Sequence, residues 1–531
     1  TDAGRRNPGL GVRDDDLGCI LRERHELDEG GLVVLTLERR GDPGSLGGEL
    51  DGEVRLPAHE AAAVEAARAR VRSRAEQHVV DLIREREEEL ADDLDTAVEW
   101  VSGRGGSAFG TLPLLPAFLD RPFDPSPYSP VSRLFWNELY VDPRATPEFE
   151  ACAEARTAFE ATMRQAEELR QGRLVDYRGV WALKRRLFEL LSACCRRNDS
   201  LAGRTDRFLG RNPVVGDYAA FRATCDRRGA PWPDWPGRQK GGRLGPRDYE
   251  RSDFDMYAFL QRAASEQLAS VGRRKAEGGT GLYLDLPIGV SSDGFDAWAN
   301  RHLFVLGACA GAPPDIFFSR GQNWGFAPLN PDQLRADRYR YWRMVLRHHR
   351  QFSSMLRVDH VMGLHRMFFI PRGMEANDGA YVRFPTEELY AVLTLESHRA
   401  RTIVVGEDLG TVPRYVGPKM RRHGLRQMYA MYFRIDPTRE TPVASPTRHL
   451  AAFVNTHDMA TFGSFWSGKD VAMRRNLGII DRGQAHAETR EKLRIKRAVV
   501  AFLRRQGMPS DRGDEPEAVL RALLRYLAAS P

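Results

Sequence analysis

Cysteine is scarce in this 531-residue chain: Cys19, Cys152, Cys194, Cys195, Cys225 and Cys309 contain no CxxC and no paired framework. A disulfide scaffold is therefore not expected, and a soluble, reducing, cytoplasmic setting is. No apolar run approaches the roughly 18 residues of a membrane span, and the first twenty residues lack the apolar core of a signal peptide. A membrane partner is not expected. Charge of one sign is also thin, 79 Lys and Arg against 73 Asp and Glu, a balance of +6 over the whole length. That is too little to call for nucleic acid. HxH and HExxH metal motifs, fixed-period repeats and low-complexity tracts are missing too. What remains is ordinary globular material, 42% hydrophobic and 29% charged, with ample chain for a large core.

The length fits three or four units of about 150 residues each, or one α/β barrel carrying insertions. Residues 1–56 are rich in Gly, Arg and Asp, with one β-like run at 31–38 (GLVVLTLE). From 59 to 100 the spacing of apolar residues predicts helix. AFGTLPLLP at 108–116 reads as a buried strand between Gly and Pro signals, and a Pro-rich loop follows. Residues 146–280 carry mainly helical patterns, broken by a Trp/Pro/Gly loop at 229–246. After 280 short apolar runs recur at 281–289, 353–363, 401–410, 426–433 and 450–458, several of them separated by helical patterns. Buried strands alternating with helices predict a parallel sheet. The expected division is 1–90, 91–145, 146–280 and 281–531: an ill-defined N-terminal region, the first part of a barrel, a helical insertion, and the rest of the barrel.

Three of these runs end in acids: Asp359 after MLRV, Glu407 after IVVG, and Asp458 after AFVNTH, spaced 48 and 51 residues apart. A lone Asp after a strand is commonly the N-cap of the next helix. Three in succession, from strands of one parallel sheet, would instead converge at its C-terminal mouth, where barrels carry their chemistry. Such a trio suits glycoside chemistry, in which one carboxylate attacks the anomeric carbon and another carboxyl protonates the leaving oxygen. The same residues with His360, Asp408 and His457 offer a second reading, a dinuclear metallohydrolase site. The neighbours His348 and His349 lie in a helical pattern and point in different directions, which weakens it.

A series of motifs then appears in order: SPYSPVSRLFWNELYVD (126–142), DLPIGVSSDGFDAWAN (285–300), GAPPDIFFSRGQNWGFAPLNP (311–331), LRVDHVMGLHRMFFIP (356–371), VVGEDLGTVP (404–413) and NTHDMATF (455–462). From 108 to about 468 the chain resembles the amylomaltases, the 4-α-glucanotransferases of glycoside hydrolase family 77 in the α-amylase clan. The resemblance implies an α/β fold, a (β/α)₈ TIM-type barrel with large helical insertions. It implies α-1,4-glucans and maltooligosaccharides as partners, with no organic cofactor and no metal. Asp359 matches the family's nucleophile, Glu407 its general acid/base and Asp458 the third carboxylate, with Asp408 bracing the loop. Arg357 matches the arginine that pairs with the nucleophile, and His457 a sugar-hydroxyl donor. Tyr128, Asp293, Trp298, Asp315, Gln322 and Trp324 fall in segments that imply substrate contacts, and Trp232 and Trp235 in one that could form a second glucan surface or a small core. The implied activity is transfer of α-1,4-glucan segments by retaining double displacement; an α-glucan hydrolase and a catalytically impaired glucan-binding protein are the alternatives.

The chain departs from the family pattern at both ends. EREEELADDLDTAVEW at 85–100 stands where a WGxGD-like segment is expected, and the family's last strand would lie beyond Pro531. The expected barrel is therefore truncated at its C-terminus and atypical at its N-terminus.

Overall fold

The computed structural model describes residues 19–21, 37–39, 90–120, 122–172, 174–276, 279–314, 320–508 and 514–530. Most of the β-like run at 31–38 and of the helical pattern at 59–100 lies outside them. Their described parts are a strand Leu37–Arg39, antiparallel to Cys19–Leu21, and a helix Leu90–Ser102.

Six strands make the central sheet: β1 (Ala108–Gly110), β2 (Gly281–Leu286), β3 (Ser353–Val358), β4 (Ile403–Gly406), β5 (Arg426–Ala430) and β6 (Leu450–Phe453). All neighbours are parallel, and spatial order follows chain order from β1 to β6. The physical basis is the apolar runs, buried on both faces; every residue of β2 is buried. On the inner face Ala108, Tyr283, Met355, Val405, Met428 and Phe453 form one cluster, a residue from each strand. Such a layer is how a TIM-type barrel fills its interior. The chain has this α/β fold with six of the eight strands of a closed barrel among the described residues, where β1 and β6 have no further strand partner.

The expected strand at 108–116 shortens to 108–110, because Pro113 and Pro116 cannot donate to a ladder. A four-stranded antiparallel sheet, Ala380–Arg383, Arg366–Pro371, Ala308–Ala312 and Gln322–Asn323 in that order, stands beside the main sheet. Helices occupy 147–276 almost continuously, and the last, Arg251–Ala276, leads into β2. Helices Arg482–Arg505 and Pro516–Ala528 pack a separate core around Phe502 and Leu523 against Tyr429 and Met431 of the β5 end. Among the described residues no helix is long and apolar enough to cross a membrane.

The cysteine reading needs correction. Cys152 and Cys194 form a disulfide across 42 residues of sequence. Helices Ala153–Arg170 and Tyr177–Arg197 fold back on each other, so the start of the first meets the end of the second. Closing a loop of this length restricts the unfolded chain. Reduction, or Cys152→Ser, is expected to lower stability by about 2–4 kcal/mol in denaturant unfolding, with a higher m-value because the unfolded chain is less compact.

Candidate active site

Because the six strands are parallel, their C-terminal ends share one mouth. β3 ends at Val358 and delivers Asp359 there, and β4 ends at Gly406 and delivers Glu407. The two ends are stitched together: Glu407 N–H donates to Val358 O and Val361 N–H to Glu407 O, each at 2.9 Å. β6 ends at Phe453, and the segment after it carries Asn455, His457 and Asp458 to the same mouth.

Asp285, next to last in β2, is a charge on a buried strand, 5% exposed, and must be compensated. The strand register sets Arg357 of β3 beside it. Arg357 Nη1 donates to both oxygens of Asp285 at 2.7 Å, and Nη2 reaches Asp359 Oδ1 at 2.8 Å. Burial works against the charge of Arg357, but Asp285 and Asp359 outweigh it and hold its proton more firmly than usual. Tyr128 donates its hydroxyl to Asp285 Oδ2 at 2.5 Å, and its ring stacks on His457 with centroids 5.1 Å apart and planes 10° apart. His457 Nε2 lies 3.2 Å from Asp458 Oδ1, and this hydrogen bond holds the Asp458 carboxyl below its ordinary range. One unbroken run of contacts thus links Asp359, Arg357, Asp285, Tyr128, His457 and Asp458.

Glu407 has a different environment. It is 9% exposed, and its carboxyl accepts the N–H groups of His360 at 2.9 Å and Leu409 at 2.6 Å. Burial first, and then the charge of Asp359, push its pKa up to about 7, against the pull of Arg357 and those two N–H groups. His360 adopts φ 44° to aim its N–H at Glu407, a left-handed conformation that costs a non-glycine residue roughly 1–2 kcal/mol. Burial also lowers the pKa of the His360 ring to about 4, so it is neutral at pH 7. Asp408 faces away: it accepts Met428 N–H at 2.8 Å and Gln427 Nε2 at 2.7 Å, tying the loop to β5.

Of the other residues singled out from sequence, Trp324 sits edge-on to His360 with centroids 5.1 Å apart and donates to Gln322 Oε1 at 2.9 Å. Asp293 lies on the loop after β2, outside the run of contacts. Trp298 is displaced from the expected role: it is 5% exposed, donates to Gln239 O at 2.8 Å and packs among Phe221, Trp235 and Phe295. Trp232 and Trp235 are equally buried, so the second glucan surface gives way to the core reading. Asp315 lies outside the described residues.

Sequence reasoning missed Asp285 altogether. A carboxylate inside the run GLYLDLPIG was the available signal. It also missed Asp296, which is wholly buried and accepts Ser132 Oγ at 2.5 Å, Tyr341 OH at 2.7 Å and Arg133 N–H at 2.9 Å. Arg133 in turn reaches Pro287 O and Ile288 O, fixing the chain that leaves β2. Phe433, in the turn after β5, presents an aromatic ring 61% exposed at the mouth. Removing Asp285 leaves the buried Arg357 with Asp359 as its remaining carboxylate partner, so Asp285→Ala is expected to cost about 1–3 kcal/mol of unfolding free energy in a urea titration.

The fold and the mouth define a TIM-type α/β protein with a cluster of carboxylates at its strand ends. The chain belongs to glycoside hydrolase family 77, the 4-alpha-glucanotransferase family, whose model matches residues 88–531. It is similar to the 4-alpha-glucanotransferase of Mycobacterium tuberculosis, 31% identical over 465 residues, covering 83% of this chain and 63% of the relative. The enzyme of that name from Haemophilus influenzae is 30% identical over 462 residues, covering 82% and 65%. This chain therefore spans a little under two thirds of the length of these relatives. The amylomaltase of Corynebacterium glutamicum superposes with a TM-score of 0.67 at 27% identity, over 77% of this chain and 58% of that one. The amylomaltase of Streptococcus agalactiae shares the fold, with a TM-score of 0.61 at 20% identity over 73% and 80%.

Proposed function

We propose that this chain is a 4-α-glucanotransferase that moves α-1,4-glucan segments to the 4-hydroxyl of a second glucan or of glucose. The observation that carries this is the contrast between its two central carboxyls. Asp359 is held against the Arg357 cation at 2.8 Å, while Glu407 is buried with a pKa near 7. A carboxylate held in place by a cation beside a carboxyl that can hold a proton near neutral pH is what retaining glycosyl transfer needs.

In this reading Asp359 attacks C1 of the donor sugar while Glu407 protonates the leaving O4. The bond from C1 to O4 breaks as the bond to Asp359 forms. Glu407, now ionised, takes the proton of the incoming 4-hydroxyl, which displaces Asp359 and restores the α-linkage. Arg357 positions Asp359, and Asp285 positions Arg357. Asp458 and His457 bind donor hydroxyls, while Tyr128, Trp324 and Phe433 offer aromatic surface to the apolar faces of the sugars. Asp293, Gln322 and Asp315 are proposed on the acceptor side. The chemistry asks for no cofactor or metal.

The test uses an α-maltosyl fluoride with Glu407→Gln. Fluoride leaves without a proton, so the first step proceeds, whereas the second lacks its base and the intermediate accumulates. Peptide mass spectrometry is expected to find a glycosyl ester on Asp359. An adduct on a different carboxylate would contradict the assignment.

A further inference from the structure

Arg133 lies outside the run of contacts at the mouth, yet it is 2% exposed and its charge must be met inside the protein. Its countercharge is Asp296, reached through the hydroxyl of Tyr341 on helix Arg340–Arg350. Arg133 Nε and Nη2 donate to that oxygen at 3.3 and 3.2 Å, and the hydroxyl donates in turn to Asp296 Oδ2 at 2.7 Å. Asp296 holds the Arg133 backbone as well, accepting its N–H at 2.9 Å. The residue is therefore fixed at its root and at two of its three guanidinium nitrogens.

The third nitrogen reaches another segment. Nη1 donates to Ile288 O at 2.8 Å and to Pro287 O at 3.2 Å. These are the first two carbonyls beyond β2, and among the described residues no backbone N–H reaches either of them. Leu286, the last residue of β2, gives its own carbonyl to Asp359 N–H at 3.0 Å. Ile288 meets the same segment again, because a Cβ on Gly363 would lie 2.8 Å from Ile288 Cδ1. Gly363 belongs to the turn Val361–Leu364 that follows Asp359 and His360. The stretch 286–288 thus supports Asp359 at its N–H and at the turn beyond it, and Arg133 holds that stretch.

We infer that Arg133 is a positioning residue for glucan transfer: anchored on Asp296 through Tyr341, it fixes the end of β2 and thereby the place of Asp359. Arg357 grips the carboxylate of Asp359, while Arg133 sets its backbone through Leu286 and Ile288. A guanidinium suits this task because one planar fork serves a hydroxyl on one edge and two carbonyls on another, which a lysine ammonium cannot do. Reacting atoms must meet at about 3–3.5 Å, so a small displacement of Asp359 costs rate rather than binding. The inference rests on the glucanotransferase reading for what Asp359 does, while the placement of Asp359 by Arg133 is measurable without it.

Tyr341→Phe removes one oxygen from the anchor, and Arg133→Lys keeps the charge but loses the fork. Each is expected to lower kcat for transfer from maltotriose about tenfold with KM changed less than about twofold. Crystal structures of both are expected to show the 286–288 backbone and Asp359 displaced together. Val499→Ala, in the separate core of the C-terminal helices, is the control. It is expected to lower the urea midpoint comparably and to keep the parent kcat. A parent kcat in folded Tyr341→Phe, a loss that resides in KM, or an equal loss of kcat in Val499→Ala would overturn the positioning role. Should Arg133→Lys fail to fold, Tyr341→Phe alone decides. If the parent chain transfers no glucan, the proposed function fails, and an unmoved Asp359 in the Tyr341→Phe crystal structure would by itself overturn the placement.

Discussion

Asp359→Asn is expected to reduce glucan transfer by roughly 10⁴- to 10⁶-fold, as removal of a nucleophile does elsewhere, while leaving the chain folded. The expectation comes from placement. Asp359 stands one residue past β3, paired to Arg357 Nη2 at 2.8 Å and beside the Glu407 end of β4. Asparagine keeps the shape but cannot form the ester intermediate. Substrate binding, read by quenching or calorimetry with maltotriose, should change little, because the sugar contacts assigned to Tyr128, His457 and Asp458 are untouched. Transfer by Asp359→Asn within tenfold of the parent would remove Asp359 from the mechanism.

The second large effect concerns Glu407. Glu407→Gln is expected to lower transfer from maltotriose by roughly 10²–10⁴-fold, the usual contribution of a general acid. The loss should be much smaller in the first step with an α-glycosyl fluoride, whose leaving group needs no proton. The pH profile gives the sign. Glu407 must be protonated when O4 leaves, and burial with the Asp359 charge sets its pKa at about 7. Transfer measured as kcat/KM should therefore be high below pH 7 and fall as pH rises through about 7. Substituting Asp359 removes the second of those causes, so the Glu407 pKa should then move down.

Much of the architecture was legible because the inner strands are buried on both faces and appear as short, continuous apolar runs. IVVG, and MLRV with its single Arg357, read as short buried strands, and an acid just past such a run is visible as a strand-end residue. That logic placed Asp359, Glu407 and Asp458 at one mouth. It failed for Asp285, where the carboxylate interrupts the run and its partner lies 72 residues away. It failed again in the segment after β2, where Asp293 and Asp296 look alike in sequence. Only the packing of Ser132, Arg133 and Tyr341 makes Asp296 the buried anchor. Trp298 misled for a similar reason, since an aromatic ring serves a core as readily as a sugar. The antiparallel sheet went unseen because ACAGA at 308–312 has the composition of a loop, and its partner strand comes 54 residues later. The Cys152–Cys194 bond depends on a helical hairpin that no cysteine spacing announces.

What is at stake is whether this chain, which spans a little under two thirds of the length of its Mycobacterium tuberculosis and Haemophilus influenzae relatives, carries out glucan transfer at Asp359. Incubation of the purified chain with maltotriose, resolved as a product ladder beside Asp359→Asn, tests it most directly. The account predicts glucose together with maltopentaose and longer chains from the parent, and an unchanged substrate from the variant. Glucose and maltose with nothing longer, or no turnover by a folded parent chain, would contradict it.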